Sequence, residues 1–271
     1  MTHPSSSLII STYNWPVALD LVLLSVSQQS RMPDEILVAD DGSGPETKEL
    51  VDRWKTKMPV PLKHIWHEDD GFRVSAIRNQ AVCQASNEYI IQVDGDMILE
   101  KHFIQDHMKM ASKNSFFIGS RVLLSPEKTT DIQSKKNIRF GMFSDGIKNR
   151  INAIRLPALS RFFISPKTDG RSIVHEVRGC NMSYWREDFK KINGYNENFI
   201  GWGREDSEIG IRFVNAGVIK KKLKFCAIQY HQYHTMRSRD RLNINDDIME
   251  KTIENKITYC DKGMDSHCPN S

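Results

Sequence analysis

The sequence lacks any long hydrophobic run. No stretch of the 271 residues approaches the roughly 18 to 20 uninterrupted apolar residues that a membrane-spanning helix requires. Internal repeats and low-complexity tracts are also missing, so nothing indicates a repeat architecture. Hydrophobic residues make up 39% and charged residues 27% of the chain, which is ordinary for a globular protein. We therefore expect one folded catalytic unit that does not cross a membrane.

Strong net charge and paired cysteines are missing too. The formal charge of +4 is too small to indicate a nucleic-acid partner, although a small anionic ligand is compatible with it. The five cysteines are an odd number, are scattered and contain no CxxC pair. With no secretory leader before the first apolar run, they are predicted to be reduced thiols in a cytoplasmic protein. These residues are Cys83, Cys180, Cys226, Cys260 and Cys268.

Short apolar strands alternate with helical patterns through the first 120 residues. Strands are predicted over residues 8–11, 35–39, 62–66 and 88–93, and helices over 17–28, 46–57 and 75–85. This βαβ alternation with short connections favours a parallel sheet whose strand ends carry a ligand site. Four parts of one domain are predicted: a nucleotide-sugar-binding half at 1–120, a helical insertion or lid at 121–172, an acceptor and catalytic half at 173–245, and a tail at 246–271.

Two aspartates follow the fourth predicted strand, in Asp94-Gly95-Asp96. Carboxylates one residue apart at a strand end can face one cavity, and Gly95 lets the backbone approach closely. Hard oxygen ligands suit Mg²⁺ or Mn²⁺, which would neutralise a diphosphate. The structural alternative is an ordinary Asp-Gly-Asp turn. The place after a buried strand, with similar acids at Asp40 and Asp41, favours a ligand site.

Further polar residues close the first two strands. Asp41 could accept hydrogen bonds from a base or a ribose hydroxyl, although capping of the next helix is an alternative. Tyr13 offers an aromatic ring for stacking, beside the polar side chains of Thr12 and Asn14. Arg78 could place its guanidinium on phosphate or base oxygens, and the alternative is an exposed helical arginine.

A dense block runs from Gly201 to Asp206. Two glycines around Trp202 suit a platform against a sugar face, and the carboxylates of Glu205 and Asp206 could deprotonate an incoming hydroxyl. A loop followed by a helix is the structural alternative. Further on, His231 could complete a metal site begun by Asp96, with His234 as the alternative ligand.

Together these blocks resemble the GT-A glycosyltransferases of family 2, and the C-terminal half resembles the chondroitin-polymerase and β-1,4-galactosyltransferase type. The matching stretches are residues 8–14, 36–43, 69–81, 92–97 and 178–213, with His231 and Gln232 behind them. The resemblance implies a Rossmann-like α/β fold with a mostly parallel central sheet. It also implies an inverting transfer of a sugar from a UDP-sugar to a hydroxyl of a glycan or lipid-linked glycan, assisted by Mn²⁺ or Mg²⁺.

The resemblance also assigns roles to residues. Uridine is expected at Thr12, Tyr13 and Asp41. Asp94 and Asp96 are expected to form the D-x-D motif. The full predicted donor-binding set is Thr12, Tyr13, Asn14, Asp41, Arg78, Asp94, Gly95 and Asp96; the metal ligands are Asp96 and His231; the catalytic residues are Asp206, as general base, and Glu205.

The predicted acceptor-binding residues are Trp202, Gly203 and Arg204. The family commonly has Gly-Trp-Gly-Gly-Glu-Asp, whereas this chain has Arg204 in place of the last glycine. This departure affects the expected sugar preference rather than the identity of the base.

Two other functions are less compatible with these motifs. A sugar-1-phosphate nucleotidyltransferase would need a glycine-rich, basic loop after the first strand, where this chain has Tyr-Asn-Trp-Pro over residues 13–16. A non-catalytic sugar-nucleotide-binding subunit would not need the carboxylates at Asp94, Asp96, Glu205 and Asp206. The basic, apolar-interleaved segment over residues 135–163 has two interpretations, a lid over the site or a surface resting on an anionic membrane.

Overall fold

The computed structural model describes residues 4–235 and 241–268. The strands are Ser6–Thr12 (β1), Glu35–Asp40 (β2), Leu62–Trp66 (β3), Tyr89–Asp94 (β4), Met97–Leu99 (β5), Ser115–Ile118 (β6), Val122–Leu124 (β7), Ile147–Lys148 (β8), Asn181–Trp185 (β9), Ile219–Lys222 (β10) and Gln229–His231 (β11). The α-helices are Pro16–Ser27 (α1), Pro45–Lys55 (α2), Val74–Gln84 (α3), Phe103–Met110 (α4), Pro126–Lys135 (α5), Pro157–Ser160 (α6), Arg186–Lys191 (α7), Glu205–Asn215 (α8) and Leu242–Glu254 (α9).

The central sheet has seven strands in the order β10-β6-β9-β4-β1-β2-β3. Its pairs are parallel except where β9 runs antiparallel to β4 and β6. The strands β1, β2 and β4 therefore end at one edge, as expected for βαβ units. The predicted mostly parallel α/β sheet is confirmed.

Apolar side chains on both faces hold the sheet between helices. Leu8 and Ile10 of β1 face one core cluster with α1, whereas Ile9 faces another with α3 and α8. A strand that is buried on both faces requires apolar residues at successive positions, and β1 and β4 have them at residues 8–10 and 89–91.

A second, four-stranded sheet has the order β5-β11-β7-β8. It brings the end of β11 beside the turn that follows β4, because His231 pairs with Met97 in antiparallel register. The segment predicted to be helical supplies two of its strands, β7 and β8, besides the ten-residue helix α5. The domain boundaries remain predictions, and the one proposed at residue 245 falls inside α9.

The expectation of five reduced thiols is wrong for Cys83 and Cys268, which form a disulfide. The physical reason is long-range packing: the chain after α9 returns to α3, where Cys83 lies. The other three cysteines are free and buried. None of the helices in the described ranges is long and apolar enough to span a membrane.

Candidate functional site

A cleft of about 740 Å³ opens where β1 and β4 end and where β9 and α8 begin. It collects nearly all the predicted site residues at one edge of the sheet. Those lining it are Thr12, Tyr13, Asp41, Arg78, Asp94, Gly95, Asp96, Trp202, Gly203, Arg204, Glu205, Asp206, His231 and His234.

Arg78 joins the two halves of the predicted site. Its side chain, on α3, is only 4% exposed. Its Nη2 donates to Asp94 Oδ1 at 2.9 Å and its Nη1 to Asp206 Oδ1 at 3.0 Å, while its Nε donates to Ser11 Oγ at 3.0 Å. A buried guanidinium between two carboxylates fixes both and compensates their charge. The exposed-helix alternative for Arg78 is therefore wrong.

Burial changes the proton affinities of two carboxyls in the cleft. It raises the pKa of Asp94 to about 6, even though Arg78 opposes the shift. Burial and the charge of Asp206 raise the pKa of Glu205 to about 7. Oε2 of Glu205 also accepts a hydrogen bond from the Gly203 backbone at 3.0 Å. The raised pKa favours the protonated form of Glu205, and the hydrogen bond from Gly203 ties its side chain to the preceding loop.

Asp96 lies between two histidines. Its Oδ2 is 3.1 Å from His231 Nε2 and 3.2 Å from His234 Nε2. Ligand atoms of the three side chains all lie within 4.8 Å of one another. Burial tends to raise the pKa of Asp96, but hydrogen bonds to the two histidines bring it down to about 2. Asp96 Oδ1 is buried and has no hydrogen-bond partner among the described residues.

The predicted uridine-binding residues also line the cleft, around the ends of β1 and β2. Asp41 is 4% exposed, and its two oxygens accept from His67 Nε2 at 2.8 Å and from the Arg73 backbone at 3.0 Å. The hydroxyl of Tyr13 donates to Asp69 at 2.9 Å. Asn14, by contrast, has a structural contact, because its Oδ1 accepts from the Gly44 backbone at 3.0 Å.

Two glycines let the backbone pass close to the site. A Cβ on Gly95 would lie 3.0 Å from Thr12 and from the Ser11 carbonyl, so the turn after β4 packs tightly on the end of β1. A Cβ on Gly179 would lie 2.3 Å from Asp206 Oδ1. Only glycine leaves room at position 179 for the candidate base.

The acceptor loop, which we define as residues 201–204, has an unusual backbone. Gly201, Gly203 and Arg204 have φ angles of +77°, +109° and +79°. A left-handed arginine is uncommon, whereas glycine adopts this backbone conformation without strain. Arg204 is held by an ion pair with Asp246 of α9.

Sequence reasoning missed several supporting residues. Gln92 donates to the Gly179 carbonyl at 3.0 Å and to the Tyr195 hydroxyl at 2.8 Å. The ring of Tyr195 in turn lies 5.1 Å from the Arg78 guanidinium. A fully buried glutamine within the apolar strand β4 was the available signal. Nothing in the sequence around Asp246 or His67 indicated a supporting role, because their partners, Arg204 and Asp41, are distant in the chain.

Comparison with known proteins identifies the family of this chain. Residues 7–192 match the family described as glycosyl transferase family 2, and residues 160–238 match the N-terminal domain of galactosyltransferase. The chondroitin synthase of Escherichia coli is 26% identical over 239 residues, which cover 83% of this chain. The chain spans about a third, 34%, of that relative's length.

Solved structures show the same fold. S. aureus TarS 1–349 in complex with UDP superposes with a TM-score of 0.63 at 17% identity, covering 97% of this chain and 68% of that one. A mannosyltransferase from Pyrobaculum calidifontis in complex with GDP-Man and Mn²⁺ gives 0.57 at 15% identity, covering 94% and 64%. The predicted fold and resemblance are thus confirmed. This chain belongs to glycosyl transferase family 2 and has a GT-A fold.

Proposed function

We propose that the protein transfers a sugar, with inversion, from a UDP-sugar to a hydroxyl of a glycan acceptor, either a polysaccharide or a lipid-linked oligosaccharide. The observation that carries this proposal is the pairing of Arg78 with both Asp94 and Asp206. It joins the predicted donor motif to the predicted base within one cleft. The chondroitin synthase relative supports a glycan acceptor, and the UDP complex of TarS supports the nucleotide.

Asp206 is the general base in this proposal. Its contacts with Arg78 and with the Tyr195 hydroxyl, at 3.0 and 3.4 Å, both use Oδ1. Among the described residues, Oδ2 therefore remains to accept the proton of the acceptor hydroxyl. The side chain is 24% exposed, so an acceptor can reach it from the cleft. One carboxylate that activates the attacking hydroxyl suffices for an in-line displacement with inversion.

Glu205 has a supporting role. Its raised pKa makes it the weaker candidate for an ionised base, and its hydrogen bond from Gly203 shapes the acceptor loop. We assign the uracil and ribose to Asp41, Thr12 and Tyr13, which also line the cleft. Asp41 lines the cleft and is held by hydrogen bonds from His67 and from the Arg73 backbone.

Asp96, His231 and His234 fit a divalent cation. The buried Oδ1 of Asp96 without a partner and the two imidazoles supply ligand atoms at suitable spacing. A mixed oxygen and nitrogen set suits Mn²⁺ better than Mg²⁺, which prefers oxygen ligands. When bound, the ion would neutralise the diphosphate of the departing UDP. His231, at 16% exposure against 37% for His234, is the more buried ligand.

The test is release of UDP from a panel of UDP-sugars, with and without Mn²⁺, in the presence of mixed glycan acceptors. We expect at least one donor to give metal-dependent release that Asp206→Asn abolishes. A non-catalytic subunit would bind UDP without turnover. A nucleotidyltransferase would instead release pyrophosphate from UTP in the presence of a sugar 1-phosphate.

We also propose that the segment over residues 135–163 contacts an anionic membrane surface. Phe143, Ile151 and Phe162 are 85%, 69% and 82% exposed, and arginines directly precede the last two in the chain. Exposed apolar groups combined with lysines and arginines are typical of interfacial contacts, with about 1 kcal/mol for each basic residue near such a surface. Lys135 and Lys136 contribute less, since they already pair with Asp131 and Asp20.

Liposome flotation tests this contact. We expect the wild type to float with vesicles of rising anionic lipid content, and a variant with Lys135, Lys136, Arg139, Lys148 and Arg150 changed to Gln to remain below. If the wild type fails to float at low salt, the segment is a lid instead.

A further inference from the structure

Two arginines flank the candidate base on adjacent chain segments. β6 and β9 are antiparallel neighbours with Ile118 opposite Met182, and beyond the strands the Gly119 backbone donates to the Asn181 carbonyl at 2.9 Å. Arg121 follows the end of β6 and Arg178 precedes the start of β9. Both therefore lie at the same edge of the sheet, and both line the cleft.

Arg178 directly precedes Gly179, whose backbone packs against Asp206. Gly179 lies between Arg178 and β9, and a Cβ there would be 2.3 Å from Asp206 Oδ1. Arg121 is close enough to influence the buried thiol of Cys180 electrostatically, as Asp206 does. The two arginines thus border the place where the acceptor hydroxyl loses its proton.

These guanidinium groups differ from the other two in the cleft. Arg78 is neutralised by Asp94 and Asp206, and Arg204 by Asp246. Within residues 4–235 and 241–268, the guanidinium groups of Arg121 and Arg178 have no hydrogen-bond or ion-pair partner. Two uncompensated guanidinium groups that line one cleft favour a bound anion, and their planar forks match carboxylate or phosphate oxygens.

We propose that Arg121 and Arg178 form a subsite for an anionic group of the acceptor, a carboxylate or a phosphate carried next to the attacking hydroxyl. This inference rests on the proposed function only in assigning Asp206 as the base. The acceptor is therefore an acidic glycan, either one with a uronic acid or one with a phosphorylated sugar. The diphosphate of the donor is assigned elsewhere, at Asp96 and the two histidines.

The subsite can be tested by binding, without turnover. Dissociation constants of methyl β-D-glucuronide, methyl β-D-glucoside and methyl β-D-glucoside 6-phosphate are measured by ligand-observed NMR, with and without saturating UDP and Mg²⁺. The first two probes differ only in a carboxylate against a hydroxymethyl group. Of the two charged probes, we expect the one that binds more tightly to bind about 10-fold more tightly than the glucoside, because charge-assisted hydrogen bonds are the strong ones. A preference for the glucuronide would indicate a uronic acid in the acceptor, and a preference for the 6-phosphate would indicate a phosphorylated sugar.

Variants locate the effect. Arg178→Gln and Arg121→Gln should each reduce the charged-to-neutral ratio toward 1, whereas Arg171→Gln, which removes an exposed arginine paired with Glu250, should preserve it. An equal affinity of all three probes in the wild type would overturn the proposal. So would a ratio that persists in both cleft variants, or a loss of UDP affinity in them, which would assign the arginines to the donor.

Failure of the proposed donor is distinguishable from failure of the subsite. If UDP does not bind the wild type, the donor assignment is wrong, and the charged-to-neutral ratio measured without UDP still decides the anion subsite.

Discussion

The donor side and the acceptor side of the cleft are built in different ways. On the donor side, Asp41 and Asp94 stand at the ends of paired parallel strands, so the register of the sheet fixes their positions. On the acceptor side, the loop over residues 201–204 has three positive φ angles and is held by contacts from α9. Asn245 of that helix donates to the Gly203 carbonyl at 2.9 Å. One side is thus positioned by strand pairing and the other by a helix from the C-terminal end of the fold.

This difference has a functional consequence. Changes on the donor side should affect metal and nucleotide binding with little loss of structure, because the sheet remains. Changes on the acceptor side should affect turnover and acceptor affinity, because the loop depends on a few contacts. Arg78 is the exception, since it belongs to both sides.

The largest effect is expected for Arg78→Ala. Removal of the guanidinium leaves Asp94 and Asp206 without their buried partner, and breaking a buried ion pair typically costs about 3–5 kcal/mol. We expect a loss of that size in the free energy of unfolding, measured with urea, together with loss of turnover. Arg186→Gln, which removes an arginine that donates hydrogen bonds to the Val82 and Cys83 backbone carbonyls, serves as a control. A variant as stable as the wild type would mean that Arg78 does not connect the two sides.

Asp96→Ala should abolish metal-dependent UDP binding while the fold is retained. We expect an affinity loss of about 100-fold or more in calorimetry with UDP and Mn²⁺, since residues that only support a metal ligand already contribute 10–100-fold. His231→Ala should weaken Mn²⁺ binding more than His234→Ala, because His231 is the more buried. The reverse order would transfer the ligand role to His234.

Glu205→Gln should change how stability depends on pH. The pKa of Glu205 is raised from 4.5 to about 7 in the folded protein, so the folded state favours the protonated form. Stability from this group is present at low pH and is lost as pH rises between about 4.5 and 7. The amide mimics the protonated acid, so the stability of the variant relative to wild type should increase by at least about 1 kcal/mol from pH 5 to pH 8 in metal-free buffer. A constant difference would show that Glu205 is ionised throughout.

Asp246→Asn should have the smallest effect on stability. The ion pair with Arg204 is partly exposed and contributes about 0–1 kcal/mol. We expect the acceptor KM to rise because the loop is less restrained, with unchanged UDP affinity. Lys48→Gln, which breaks the exposed pair with Asp52, is the matched control. A change in UDP affinity would remove the distinction between the two sides.

The same contrast explains what the sequence could predict. Strand β1 was predicted over residues 8–11 and runs from Ser6 to Thr12, because a buried strand and its polar end are encoded locally. The acids at the ends of β2 and β4 were predicted to mark a ligand site for the same reason. The pairing of Asp246 with Arg204 and of Cys83 with Cys268 joins distant positions, and no local pattern encodes such contacts. The second sheet was missed because its strands have only two or three residues and show no periodicity.

Asp206→Asn separates donor binding from turnover and therefore tests the role of the general base most directly. The amide keeps the shape of the side chain but cannot take the acceptor proton. We predict UDP and Mn²⁺ affinity equal to that of the wild type, with turnover of the preferred UDP-sugar reduced by about 100-fold or more, the scale of a general base. Near wild-type turnover in this variant would contradict the account and would transfer the role of base to Glu205 or another group.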